Sequence, residues 1–306
     1  MKTPSRYIDL TTDYGFKRVF GTDVNKDLLI DFLNELFQGK KVIKDLTYNK
    51  NEQQGDTAEQ GLVIFDLTCT SEDDSQFIIE VQRSKQNHFK ERTIYYGSKL
   101  ISDQAPKGGV NGWNYAITEV YVIAIMDGFH FSDSKEYLHD ICLFNQKTGQ
   151  KFYDRLAFIY IELLNFNKPE TVLESDLDKW LFVLKNMARL DKLPTFLKKP
   201  VFQKLFQIAE YSNLNKGEKQ MYDVSLKRKW DEYAVREYWE TEGMQKGIEK
   251  GIEKGIEKGI EKGMQKGIQE TQRKNALNML SLGLSLEIIS KSVDLPIDEI
   301  KKLCSL

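Results

Sequence analysis

The sequence predicts an α/β fold: a helix, three strands, a helix and a strand, extended by a β-hairpin and followed by a helical region and a C-terminal glycine-repeat helix. Three observations carry this. The stretch VNKDLLIDFLNELF, residues 24 to 37, places Leu28, Leu29, Phe32, Leu33, Leu36 and Phe37 at helical spacing. Three strand-like runs follow, VIKDLTYNK, GLVIFDLTCT and QFIIEVQR, of alternating or β-branched character. At Gly243 the composition changes abruptly to a four-residue repeat, GMQKGIEKGIEKGIEKGIEKGMQKGIQE.

Taken in order, a polar N-terminus leads into the first helix, which Gly39 closes. The turn-rich SEDDS joins the second and third strands. Residues 86 to 104, ending in YYGSKLISDQ, form a second helix, and EVYVIAIMDG a strongly apolar strand. LHDICLFNQ and LAFIYIELL pair across KTGQ as the extra hairpin. The pattern is then helical, through DLDKWLFVLKNM and VFQKLFQIAEY, to about Trp239. The expected units are residues 1–165, a helical region 166–242, the repeat helix 243–270 and a C-terminal module 271–306. That last module reads as three short helices, with Gly283 ending the first and Ser285 capping the second. Its outline is that of a helix-turn-helix, but PIDEIKKL is no more basic than acidic, so a partner-binding or dimerising bundle fits equally.

At 306 residues the chain has room for two or three modules. A net charge of −2 excludes wholesale electrostatic binding of nucleic acid, so any phosphate-binding surface is local. Cys69, Cys142 and Cys304 are odd in number and far apart, which fits a reducing compartment better than a disulfide framework. The start lacks an apolar signal region, and the longest apolar run, VYVIAIM, is too short to span a bilayer. A cytoplasmic protein with no membrane partner is expected.

Glycine costs about 1 kcal/mol relative to alanine in a helix, and the repeat stacks Glu over Glu and Lys over Lys at i,i+4. What favours helix is the spacing itself, which lets another backbone approach beside a ridge of Ile248, Ile252, Ile256 and Ile260. Four residues overshoot a turn by about 40°, so the ridge winds and suits a short crossing or a right-handed wrap. A homo-oligomer through this tail is expected; a solvated flexible linker is the other reading.

The stretch IIEVQ, residues 78 to 82, carries the chemistry. Ile79 and Val81 share one strand face, while Ile78, Glu80 and Gln82 share the other. If SEDDS pairs Thr70 with Gln76, antiparallel register sets Asp66 opposite Glu80 on the same face, with Cβ atoms about 5 Å apart. Two such carboxylates, buried together, would repel and rise in pKa unless a cation joined them. With no Cys or His placed beside them, the ligand set suits Mg²⁺ or Mn²⁺, which serve phosphoryl chemistry. On spacing alone an edge strand with solvated acids fits as well.

Asp66 in VIFDLTCT followed by Glu80-Val81-Gln82 resembles the PD-(D/E)XK nuclease superfamily, and within it the recombination-promoting nuclease or transposase family. DYGFKRVFG, DLLIDFLNELF and FKERTIYYGSKLISDQ add to the likeness, which covers residues 7 to 165. The resemblance implies a restriction-endonuclease-like αβββαβ core and a metal-dependent DNA endonuclease acting in recombination, transposition-like transfer or defence. It implies Asp66, Glu80 and the Val81 carbonyl as metal ligands. Gln82 stands where the superfamily pattern has lysine. An amide can orient water or a phosphate oxygen but supplies no cation, and Lys99, Arg92 or Arg83 are available to replace that charge. Glutamine is itself a familiar variant in the family, so Gln82 is taken with Asp66 and Glu80 as catalytic.

Arg92, Tyr96 and Lys99 fall at i, i+4 and i+7 on the second helix, where they could meet a DNA backbone and stack a ring. A solvated face with a tyrosine tucked inward is the alternative. The resemblance also implies that an acid from the first helix can join the metal, for which Glu35 is the candidate and a plain exposed helix position the other reading; Asp13 and Lys17 are named beside it. His88, His130 and His139 show no ligand spacing, and the basic runs at 198–199 and 227–229 are short. The competing function is a non-catalytic, degenerate nuclease that oligomerises as an interaction protein or as a toxin/antitoxin-type regulator.

Overall fold

Hydrophobic periodicity builds a mixed α/β core. The computed structural model describes residues 5–50, 52–53, 63–64, 66–106, 114–130 and 133–303, so the Cys304 thiol lies outside the described residues. They fall into two compact units, Met1–Arg236 and Glu237–Leu306.

The chain begins with a helix that the polar reading of the N-terminus passed over. Helix α1, Asp13–Phe20, buries Phe16, Val19 and Phe20, and the Thr12 side chain caps it by accepting from the Gly15 amide at 3.1 Å. Helix α2, Lys26–Phe37, buries all six apolar residues expected of it and ends where Gln38 and Gly39 turn left-handed. Each such side chain contributes roughly 1.5–3 kcal/mol by leaving water.

Strand β1, Leu46–Tyr48, is followed by a separate two-stranded ribbon of β2, Glu52–Gln53, and β3, Val63–Ile64. Strands β4, Leu67–Ser71, and β5, Gln76–Gln82, pair antiparallel with Thr70 opposite Gln76, the expected register. The expected second strand is therefore broken: Asp66 occupies a bend before β4. Its carboxylate replaces the missing ladder by accepting the Val81 amide at 2.8 Å.

Helix α3, Phe89–Asp103, crosses to β6, Val120–Met126, and then the hairpin β7, Leu138–Phe144, and β8, Lys151–Glu162, completes a six-stranded sheet of order β1-β4-β5-β6-β8-β7. Strands β5, β6 and β8 run parallel, and β7 returns antiparallel to β8. Among the described residues Gly97 lets α3 lie close to the sheet: a Cβ there would stand 3.3 Å from Leu156 and 3.4 Å from Val122.

The two sheet faces are covered by different layers. Ile79, Ile123 and Ile161 join α1, α2, α4 (Asp176–Asn186) and α5 (Pro200–Ala209) in the larger core, centred on fully buried Trp180. Ile78, Val122, Ala124 and Met126 face α3 through Phe89 and Leu100. Alternation thus puts Glu80 and Gln82 under α3, as the strand pattern predicts.

Helix α6, Lys216–Ser281, contains the glycine repeat. In the second unit Ile248, Ile252, Ile256 and Ile260 are 52–66% exposed, and among the described residues, the helix's own adjacent backbone aside, no heavy atom lies within 4 Å of where a Cβ would stand on the repeat glycines. The first of the three expected C-terminal helices is the end of α6. Helices α7, Leu286–Val293, capped by Ser285, and α8, Ile297–Leu303, then pack Ile289, Val293 and Ile300 onto Ala276.

Candidate active site

The polar end of β5 opens into a cleft of about 200 Å³ lined by Asp66, Glu80, Val81, Gln82, Arg92 and Tyr96, with Arg83, Ser84, Gln86 and Glu232 around its rim. Six sequence-predicted residues therefore meet in one place. Strand alternation delivers Glu80 and Gln82, the β4–β5 register delivers Asp66, and α3 delivers Arg92 and Tyr96 from above.

Glu80 is 6% exposed and Gln82 8%. Burial, reinforced by the Asp66 carboxylate, pushes the Glu80 carboxyl up to about 7 against the partial counterweight of Arg92. Burial also raises Asp66, offset in part by the Val81 amide and by the charges of Lys17 and Arg83. A pair of carboxyls both driven toward protonation is a pair short of positive charge. The all-oxygen donors Asp66, Glu80 and the Val81 carbonyl suit a hard divalent cation, and one bound there would reverse both shifts. Among the described residues no cluster of three His, Cys, Asp or Glu side chains forms a ready-made metal cage, so a bound ion would keep water or substrate in its remaining positions.

Arg92 is the cation beside Glu80. Its Nη2 donates to Gln82 Oε1 at 2.5 Å and lies 3.5 Å from Glu80 Oε2, while Nη1 donates to the side-chain oxygen of Gln86. Gln82 Nε2 donates to the Ser84 carbonyl at 3.0 Å. The rings of Phe89 and Tyr96 stand 5.6 and 5.7 Å from the guanidinium carbon.

Other candidates are paired away or placed elsewhere. Lys99 is 8% exposed, its ammonium 3.2 Å from Asp103, and it does not line the cleft. Arg83 spends its guanidinium on Glu232 at 2.8 and 3.2 Å. Glu35 is held by Lys199 at 2.7 Å and is not in the cleft lining, whereas α1 supplies Asp13 and Lys17, whose charges act on Asp66. His130 and His139 both reach fully buried Glu162, at 3.2 and 2.8 Å, a convergence that sequence spacing did not reveal.

Sequence reading also missed the start of α6 as part of this end of the molecule. Buried Lys229 donates to Asp9 at 2.8 Å, to Asp127 at 2.7 Å and to Thr11. Arg236 donates to the Gly128 carbonyl at 2.6 Å and to the Arg83 carbonyl at 3.2 Å. The basic run at 227–229 was the available signal, and its first two charges are exposed while its last is the buried tie.

A family model described as PD-(D/E)XK nuclease family transposase matches residues 10–238. Comparisons with curated proteins and with solved structures gave no match. The matched segment is well over half of the chain and contains the cleft and its two carboxylates. The chain belongs to the PD-(D/E)XK nuclease family transposases.

Proposed function

We propose that this PD-(D/E)XK nuclease family transposase is a Mg²⁺- or Mn²⁺-dependent endonuclease that hydrolyses DNA phosphodiesters in recombination, transposition-like transfer or defence against foreign DNA. The observation that carries the reading is the buried Asp66 and Glu80 pair in one cleft, each carboxyl raised by burial. Asp66, Glu80 and the Val81 carbonyl would hold the ion. When bound, it supplies Lewis-acid polarisation of a phosphoryl oxygen and a lower pKa for an attacking water.

The chain's own groups do the rest. The Val81 amide fixes one Asp66 oxygen, and the surrounding burial strengthens every charge interaction inside. Arg92 and Tyr96 are the proposed DNA contacts, a phosphate partner and a ring wall; Lys99, buried and paired, is left out. In the hydrolysis the water oxygen bonds to phosphorus and gives its proton to solvent. The P–O3′ bond breaks, and O3′ takes a proton to become the 3′-hydroxyl. The phosphate stays on the 5′ end.

Supercoiled-plasmid nicking tests this. Cleavage with Mg²⁺ or Mn²⁺, none with EDTA, and none by Asp66→Ala or Glu80→Ala protein are the expected results. Undiminished cleavage by either variant would overturn the assignment.

Gln82 in place of lysine supports a second reading, a degenerate nuclease that acts as an interaction protein or regulator. Native protein that fails to cut while Gln82→Lys protein cuts would favour it. The exposed isoleucine ridge and open glycines of the repeat support self-assembly through the tail under either reading. Among the described residues no helix is long and apolar enough to cross a membrane, and the proposed setting is the cytoplasm.

A further inference from the structure

The superfamily pattern asks for a cation two residues after the strand acid, and this chain has an amide there. Strand alternation carries residue 82 to the same face as Glu80, so whatever stands there sits beside the carboxylate pair. The Gln82 amide is 8% exposed and engaged at both ends: Oε1 accepts from Arg92 at 2.5 Å, and Nε2 donates to the Ser84 carbonyl at 3.0 Å. An amide held this way is oriented by the backbone and in turn orients the guanidinium.

Arg92 has the complementary character. It reaches the cleft from α3, with Nη1 on Gln86 and Nη2 shared between Gln82 and Glu80, and its side chain is confined by Phe89 and Tyr96. Its Nε is buried and has no hydrogen-bond acceptor among the described residues. Leaving a buried charged donor unmet costs free energy, so such a group is retained where an incoming acceptor completes it. A guanidinium keeps its charge at every working pH and matches two phosphoryl oxygens at once. The other nearby cations are committed, Arg83 to Glu232, Lys17 to Asp13 and Lys99 to Asp103.

We propose that Arg92 is the cationic catalytic residue of this cleft, contacting the phosphoryl oxygens as charge builds on them, and that Gln82 is a positioning residue that sets the guanidinium beside Glu80. The α3 arginine and the β5 glutamine together occupy the role of the missing lysine. This rests on the nuclease reading above.

The test uses full-length protein in single-turnover cleavage of a labelled duplex with Mn²⁺, with folding followed by thermal melting and DNA affinity by anisotropy in EDTA. Arg92→Ala is expected to lose about 10²–10³-fold in the cleavage rate, far more than it loses in affinity. Arg92→Lys is expected to retain more rate than Arg92→Ala. Gln82→Ala is expected to lose rate only when Arg92 is present. Gln82→Lys placed in the Arg92→Ala background is expected to recover at least tenfold, because it returns a cation to the same place. A structural role would not give that rescue.

Three results overturn the proposal: Arg92→Ala cutting at the native rate, loss confined to DNA affinity, or no recovery in a folded double variant. If Arg92→Ala fails to fold, the comparison of Arg92→Lys with Gln82→Ala decides, and unchanged rates in both refute it. Native protein that fails to cut with Mn²⁺ would instead overturn the nuclease reading itself, before any variant is compared.

Discussion

Arg92 Nη2 lies 2.5 Å from Gln82 Oε1 and 3.5 Å from Glu80 Oε2, so one guanidinium joins the amide and the acid that β5 presents on the same face. Two elements far apart in function meet there. The strand supplies the carboxylate and the helix supplies the charge beside it. The same juxtaposition sets how the cleft answers to pH, metal and substitution.

The first prediction concerns pH. Glu80 has an ordinary carboxyl value of 4.5 and is pushed up to about 7 in the fold, by burial first and Asp66 second. A raised carboxyl contributes stability that is fully present below the unfolded value and is lost as pH rises through the folded one. The metal-free protein should therefore lose up to about 3 kcal/mol from this group between pH 4.5 and 7.5. Glu80→Gln should flatten that part of the stability curve, read from urea unfolding at a series of pH values. An unchanged slope would show that Glu80 is not held in this way.

A metal held by Glu80 would compete with the proton for that carboxylate, so the thermal shift produced by Mn²⁺ should be larger at pH 7.5 than at pH 5. Glu80→Gln and Asp66→Asn should each reduce it at least tenfold in apparent affinity. Equal shifts at both pH values would place the ion elsewhere.

Lys229 is a buried ammonium held by Asp9 and Asp127, which outweigh the cost of its burial and keep it charged. Burial alone would raise Asp127, but Lys229 holds it below the usual carboxylate range. Lys229→Met leaves two part-buried acids facing each other and should cost about 3–5 kcal/mol in chemical denaturation. Because the same turn of α6 carries Glu232 to Arg83, cleavage should fall as well.

Trp180 packs against Phe20, Phe32 and Phe202, with ring centroids 5.8, 5.8 and 5.0 Å away, and its indole donates to Asp31 at 2.7 Å. Trp180→Ala should cost about 3–5 kcal/mol by cavity formation plus the loss of that bond. Trp180→Phe should cost less, and a melt that ranks them the other way would contradict this packing account.

Serine at Ile248, Ile252, Ile256 and Ile260 together should lower the sedimenting mass of the full chain without lowering its helical circular dichroism by more than a small fraction. The ridge is exposed, so it contributes little within one chain. A monomeric native protein would remove self-assembly through the repeat.

Much of the core was legible because local pattern and tertiary role agree. In α2 every apolar residue at helical spacing is buried, and the β4–β5 hairpin keeps the register that its turn composition dictates. Glu80 could be singled out because a carboxylate on an otherwise apolar strand breaks the pattern. The break at Asp66 was not legible, since a side chain taking over a ladder hydrogen bond leaves no trace in periodicity. Nor was α1, whose few apolar residues are interleaved with Asp13, Lys17 and Arg18. The partners of Arg92, Lys229 and Glu162 come from elements distant in sequence, and only the fold brings them together.

The most direct measurement is Mn²⁺ binding followed by electron paramagnetic resonance, on the native protein and on Asp66→Asn and Glu80→Gln proteins, with DNA cleavage recorded on the same samples. Saturable binding by the native protein that tracks cleavage, and the loss of both in either variant, are the expected results. Native-like binding and cutting after removal of one of these carboxylates would contradict them.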